Sequence, residues 1–114
     1  MLASDVIATV RRILNDETVD AYRWTDVALV RYVDFAQRAL QKSRPDLLYS
    51  GGAMTAVTEV TATSTVLAFD EDSLEALAHY AIYMGFTEDG DETGNESRAQ
   101  KHLDFFAKLV DGGF

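Results

Sequence analysis

The sequence predicts a mainly all-α fold, a four-helix bundle with a Thr-rich extended loop or β-hairpin between helices 2 and 3. Three observations predict it. Four segments carry apolar residues at helical spacing. Boundaries fall where Thr25-Asp26, Arg44-Pro45 and Asp70-Glu71-Asp72 would start or stop a helix. Between the second and third segments, residues 54–66 are dominated by Thr, Val and Ala, which favour extended backbone. At 114 residues the chain has the length of one domain, 1–114, with the loop or hairpin at 51–69 and a short tail at 111–114.

In the first helix, opened by Ser4 and Asp5, Val6, Ile7, Val10, Ile13 and Leu14 share a face while Arg11 and Arg12 are expected to point away. The polar run Asn15-Asp16-Glu17 ends it. The second helix has the clearest period. Thr25 stands at the N-cap and Asp26 in the first turn, where a hydroxyl can accept a free N–H and a carboxylate complements the helix dipole. Trp24 before the cap and Leu29 have the spacing of a hydrophobic staple. Leu29, Tyr32, Val33, Ala36 and Leu40 form the inward stripe, widened by Ala28, Phe35 and Ala39, with Arg31, Asp34, Arg38 and Gln41 opposite. Pro45 stops the helix, because it cannot donate to the ladder and pushes Arg44 out of the α region.

Short strands are expected near Ala56–Thr61 and Thr65–Phe69, although Ala62-Thr63-Ser64 is weak turn chemistry and an extended loop is the alternative. Asp70 then caps a third helix that is apolar nearly all round from Leu74 to Phe86, as befits the centre of a bundle or a subunit contact. The fourth helix, to about Val110, turns Ala99, Leu103, Phe106, Ala107 and Val110 inward.

Formal charge is −9, from 10 basic and 19 acidic residues, and its layout is uneven. Acids and bases balance up to Asp46, whereas Leu47 to Ser97 contains no Lys or Arg against ten Asp and Glu. Such a surface repels phosphates, which disfavours gripping DNA or RNA. The absence of cysteine excludes a disulfide scaffold, a thiolate metal site and a cysteine nucleophile. No run of about 20 apolar residues is available for a membrane span, and the start lacks a basic, apolar leader, which predicts a soluble chain without a signal peptide.

Candidate chemistry is sparse. Asp89-Gly90-Asp91-Glu92-Thr93-Gly94-Asn95 places oxygens at alternate positions and a glycine sixth, as a calcium loop does, but its twelfth residue is Gln100 rather than Glu. Its eighth residue, usually apolar, is Glu96, and Thr93-Gly94-Asn95-Glu96 reads more specifically as a capping box. His79 and His102 fall on different helices without a second His or Cys at metal spacing, so packing or hydrogen bonding explains them. Adjacent acids at 70–72 suit a helix start as well as acid–base work. Neither a Gly-x-Ser-x-Gly elbow nor a phosphate-binding glycine loop occurs. The expectation is a non-enzyme with no cofactor and no metal. Aromatics are numerous for a small core, and Tyr80 and Tyr83 suit a protein interface.

Tyr22-Arg23-Trp24-Thr25-Asp26-Val27-Ala28-Leu29-Val30-Arg31-Tyr32-Val33-Asp34-Phe35-Ala36-Gln37-Arg38-Ala39-Leu40, followed by Arg44-Pro45-Asp46-Leu47, resembles the opening of head-to-tail adaptor proteins of tailed bacteriophages. Leu74 to Phe86, the acidic loop, and Asn95 to Phe106 are similar to that family's closing helix pair. Longer relatives carry a larger β-rich region where only Gly51 to Phe69 remains here.

The resemblance implies a helical subunit of a homo-oligomeric ring, often twelve-fold, between the portal protein and the next tail component. DNA would pass through the lumen without sequence-specific binding. The location implied is the virion head–tail junction, with the host cytoplasm during assembly. It also implies contacts through the inter-pair loop, at Thr55, Val57, Thr58, Glu59, Val60 and Thr61, and through the tail, at Asp111 and Phe114. The rival reading is a cytosolic helical interaction domain that homodimerises through the aromatics of the third helix.

Overall fold

The computed structural model describes residues 1–15, 24–88 and 95–112. Four helices dominate: α1 (Ala3–Ile13), α2 (Asp26–Ser43), α3 (Leu74–Glu88) and α4 (Asn95–Asp111). A two-stranded antiparallel ribbon, β1 (Tyr49–Ser50) and β2 (Ala53–Met54), follows α2 through a 3₁₀ turn, Pro45–Leu48. The mainly helical bundle predicted from the sequence is the fold observed.

Helix α3 is central, packing against α1, α2 and α4. Ala76, Leu77, Ala78, Ala81, Ile82, Gly85 and Phe86 are all buried, which explains why its sequence is apolar around most of its circumference. The Thr25 hydroxyl accepts the Ala28 N–H at 3.2 Å, so the predicted cap is present. Leu29, Tyr32, Val33, Ala36 and Leu40 line the buried face of α2. Trp24 does more than fix the entry to that helix. Its indole meets Tyr32 of α2 and Phe86 of α3 edge-on, with ring centroids 6.0 and 5.1 Å away, so it ties two helices together.

Several expected details differ. Helix α1 begins one residue before Ser4, with Leu2 at the N-cap, whose N–H donates to Asp5 Oδ2 at 2.8 Å. Arg11 does not point away from the core. It is buried, donating through Nη2 to the Trp24 carbonyl at 3.1 Å and to Asp26 Oδ1 at 2.6 Å, while Ile13 is partly exposed. The guanidinium thus satisfies the chain as it enters α2. Phe35 is 39 % exposed and Ala107 is exposed, whereas Gln37 and His102 take buried places that the apolar pattern did not assign to them. Polar side chains hydrogen-bonded across elements can occupy core positions that hydropathy alone gives to apolar ones.

The ribbon lies upstream of the expected strands. Gly51 and Gly52 both have positive φ, 61° and 84°, which only glycine adopts freely, and a two-residue turn with φ > 0 twice matches the twist of a hairpin. Residues 55–69 form no strand ladder of their own. They run as a strap, with one turn closed by the Thr65 N–H on the Ala62 carbonyl at 3.1 Å, that meets α2 at Asp34 and Gln37 and then the start of α1. The N–H groups of Ala3 and Ser4, free at a helix start, donate to the Thr65 and Thr63 carbonyls at 2.9 and 2.8 Å, and the Leu67 N–H donates to the Met1 carbonyl at 2.8 Å. Val60, Leu67 and Phe69 turn inward from the strap into the core. Asp70 closes it, its carboxylate accepting the Asp72 N–H at 3.1 Å as the chain winds through a 3₁₀ turn, Glu71–Ser73, into α3.

Candidate functional site

The strap is the one non-helical stretch of length in the described residues, and a polar pair on α2 holds it. Asp34 Oδ1 accepts the Val60 N–H at 3.0 Å and the Gln37 side-chain amide at 3.0 Å, while Oδ2 accepts Arg38 Nε at 3.0 Å. Gln37 Nε2 also donates to the Thr58 carbonyl. Burial alone would raise the Asp34 pKa, but the hydrogen bonds from Arg38, Val60 and Gln37, with the Arg38 charge, outweigh it and hold the carboxyl below its ordinary range. Sequence reasoning placed Asp34 on the solvent side. Its i,i+3 and i,i+4 spacing to Gln37 and Arg38 was the available signal of a small network.

This anchorage sorts the strap into two sets of side chains. Val60 is 4 % exposed and Val57 is half-buried against the core, whereas Thr55, Thr58, Glu59 and Thr61 face outward. Val60 therefore lacks the exposure that an interface side chain requires. The ribbon next to it presents Tyr49 and Met54, directly opposed across the two strands and so on one face, at 59 % and 52 % exposure. Residues 47–58 contain no charged side chain.

Tyr80 and Tyr83 are half-buried and meet edge-on at 5.3 Å; Tyr80 also meets Phe106 of α4 at 4.9 Å. Tyr80, Met84 and Phe106 line a shallow groove with Phe35 and Ala39, bordered by Arg38 and Lys42 of α2. Asp111 is exposed at the end of α4, near where Arg44 Nη1 donates to the Val110 carbonyl at 2.8 Å. Arg44 also pairs with Asp46 through two contacts of 2.9 Å, so one side chain joins the end of α2 to the end of α4. Phe114, the calcium-like run 89–94, Thr93 of the capping box, and Tyr22 and Arg23 lie outside the described residues.

The two histidines, expected from the sequence to be separate packing or hydrogen-bonding residues, are brought together. His79 Nδ1 and His102 Nδ1 are 2.9 Å apart across α3 and α4, with the rings stacked at 23°. No local spacing could have found this pair, because 23 residues and a helix reversal separate its members. Among the described residues no group of three or more His, Cys, Asp or Glu could hold a metal ion. No helix among them is long and apolar enough to cross a membrane.

The described residues thus present an anchored strap, an exposed ribbon and a groove lined by aromatic side chains on a helical bundle. A family model described as SU10 adaptor protein matches residues 1–72, which comprise α1, α2, the ribbon, the strap and the first residues of the turn into α3. The chain belongs to this family of phage head-to-tail adaptors, a structural rather than enzymatic family. Comparison with curated proteins returned no match. Comparison with solved structures returned none either.

Proposed function

We propose that this chain is a ring subunit at the head–tail junction of the virion, joining the portal protein to the next tail component while DNA passes through the lumen. The match to the adaptor family over α1, α2 and the strap carries the reading. Twelve copies would suit the symmetry of a portal, and repetition around a ring turns a weak contact per subunit into a firm joint. The uncompensated acidity of residues 47–97 favours a lumen that DNA slides past without adhering. Assembly would take place in the host cytoplasm.

The contact residues of this reading are the outward strap side chains Thr55, Thr58, Glu59 and Thr61, with Val57 at their margin, and the tail from Asp111 to Phe114. Tyr80 would contribute through the groove that it lines, and Tyr83 through its edge-on contact with Tyr80. The test replaces Thr55, Thr58, Glu59 and Thr61 together by Ser or Gly, spares Val60 so that the core survives, and removes Gly112 to Phe114. Loss of co-sedimentation with the portal protein supports the assignment; undiminished binding overturns it.

A second reading rests on the groove formed by Phe35, Ala39, Tyr80, Met84 and Phe106, where aromatic side chains of α2, α3 and α4 meet at the surface and could begin a contact with a second copy of the chain. It predicts a stable dimer in isolation and no affinity for a portal.

A further inference from the structure

The contact between His79 and His102 has a stoichiometry built into it. A hydrogen bond between two imidazole nitrogens accommodates one proton: one ring donates and the other must keep its lone pair. At 2.9 Å the two Nδ1 atoms are at bonding distance, and a second proton between them would set two N–H donors face to face and leave a positive charge on a partly buried pair.

The surroundings offer that charge little relief. Phe105 packs on His79 with ring centroids 4.9 Å apart, and Phe86 stacks on His102 at 6.2 Å. Glu75, one turn before His79 on α3, favours protonation, whereas Lys101, next to His102 on α4, opposes it at both rings. Arg98 and Lys101 border the groove beside His102; Ile13 at the end of α1 and the following Leu14 and Asn15 line the same groove, all neutral. The charged residues of 16–23 and 89–94 lie outside the described residues.

We propose that His79 and His102 form a single-proton clasp that fastens α4 to α3 at neutral pH and loosens that seam when a second proton binds in mildly acidic solution. Burial, with Lys101 opposing Glu75, lowers the His79 pKa; burial first, then His79 and Lys101, lowers that of His102 to about 4. In an unfolded chain both rings would titrate near ~6.5. The folded pKa lies below the unfolded one, so the unfolded chain binds protons first as pH falls. The contribution to stability is complete above about 6.5 and is lost progressively toward about 4. The clasp is a property of the subunit and does not depend on the ring reading.

The test follows the imidazole Cε1–Hε1 signals of the full chain by NMR from pH 8 to 4.5, alongside its thermal midpoint and that of His102→Gln. The clasp predicts that neither histidine titrates as an isolated group near ~6.5 and that the two midpoints are coupled. It predicts that the wild-type midpoint falls by more than about 5 °C between pH 7.5 and 5, and that His102→Gln removes at least half of that slope. Independent titration of either ring at about 6.5 overturns the proposal, as does an undiminished slope in the variant. Should the variant fail to fold, the wild-type titration decides alone.

Discussion

The indole of Trp24 lies so close over Gly85 that a Cβ on that glycine would stand 2.5 Å from the ring atoms Cη2 and Cζ2. The residue ahead of α2 is thereby seated in a notch on α3, and the notch exists only because position 85 has no side chain. Two effects oppose each other at Gly85→Ala. Helix propensity favours alanine by about 1 kcal/mol. Forcing a methyl group into a closed aromatic contact costs about 1–3 kcal/mol and more when the ring cannot move. Trp24 is buried between Tyr32 and Phe86, so the steric term should win. Thermal denaturation should show a lower midpoint for Gly85→Ala, whereas a raised one would mean that the indole swings aside freely.

Two arginines separate buried from exposed pairing. Arg11 is buried with its donors committed to Trp24 and Asp26, while Arg31 and Glu88 pair at the surface with side chains 59 % and 36 % exposed. Arg11→Ala should cost about 2–4 kcal/mol, through an unsatisfied carbonyl and a lost core contact. Arg31→Ala should cost less than about 1 kcal/mol, since exposed pairs are screened and entropically costly. Urea titration of both variants measures the difference, and equal costs would contradict the burial argument.

Asp34 should behave as the pin of the strap. Asp34→Ala leaves the Val60 N–H without its acceptor and the Gln37 amide with the Thr58 carbonyl alone, and should cost about 2–3 kcal/mol. Asp34→Asn, which keeps an acceptor oxygen but loses the Arg38 ion pair, should recover part of it. Hydrogen exchange at the Val60 amide should accelerate in Asp34→Ala, and unchanged protection would show that the strap is held elsewhere. Because the folded pKa of Asp34 is lowered, its contribution is present above the ordinary carboxylate range and is lost as pH falls through the folded value. Acid should therefore release the strap in wild type and have no such effect in Asp34→Ala.

The ribbon gives a prediction about solubility. Tyr49 and Met54 form one exposed apolar face in an uncharged stretch. Tyr49→Lys with Met54→Glu should leave the thermal midpoint within about 2 °C, because neither side chain is buried, and should reduce self-association. A large fall in the midpoint would show that the ribbon packs on the bundle.

These relationships mark what could be read from the residues. Thr25, Asp70 and Pro45 act on their own neighbours, so capping and termination were legible, and so was the inward stripe of α2, which repeats within one helix. Gly51-Gly52 was misplaced for a local reason: the β propensity of the Thr-rich segment drew attention downstream of a glycine pair suited to a tight turn. Residues 55–69 instead satisfy the start of α1, a partner some sixty residues away in sequence. Arg11, Gln37 and the pairing of His102 with His79 were missed because Arg11, Gln37 and His102 are buried through polar contacts to other elements. Hydropathy assigns such residues to the surface. The adaptor resemblance was readable from the order of ordinary helices, yet which strap side chains are exposed follows from the strap's anchorage, with Val60 facing in and Glu59 facing out.

The measurement that bears most directly on the central claim is native mass spectrometry of the purified chain, alone and mixed with its portal protein. The account predicts that a ring of copies, twelve on a twelve-subunit portal, joins the portal in a single complex. A monomer or dimer in both samples, with the portal left bare, would contradict it.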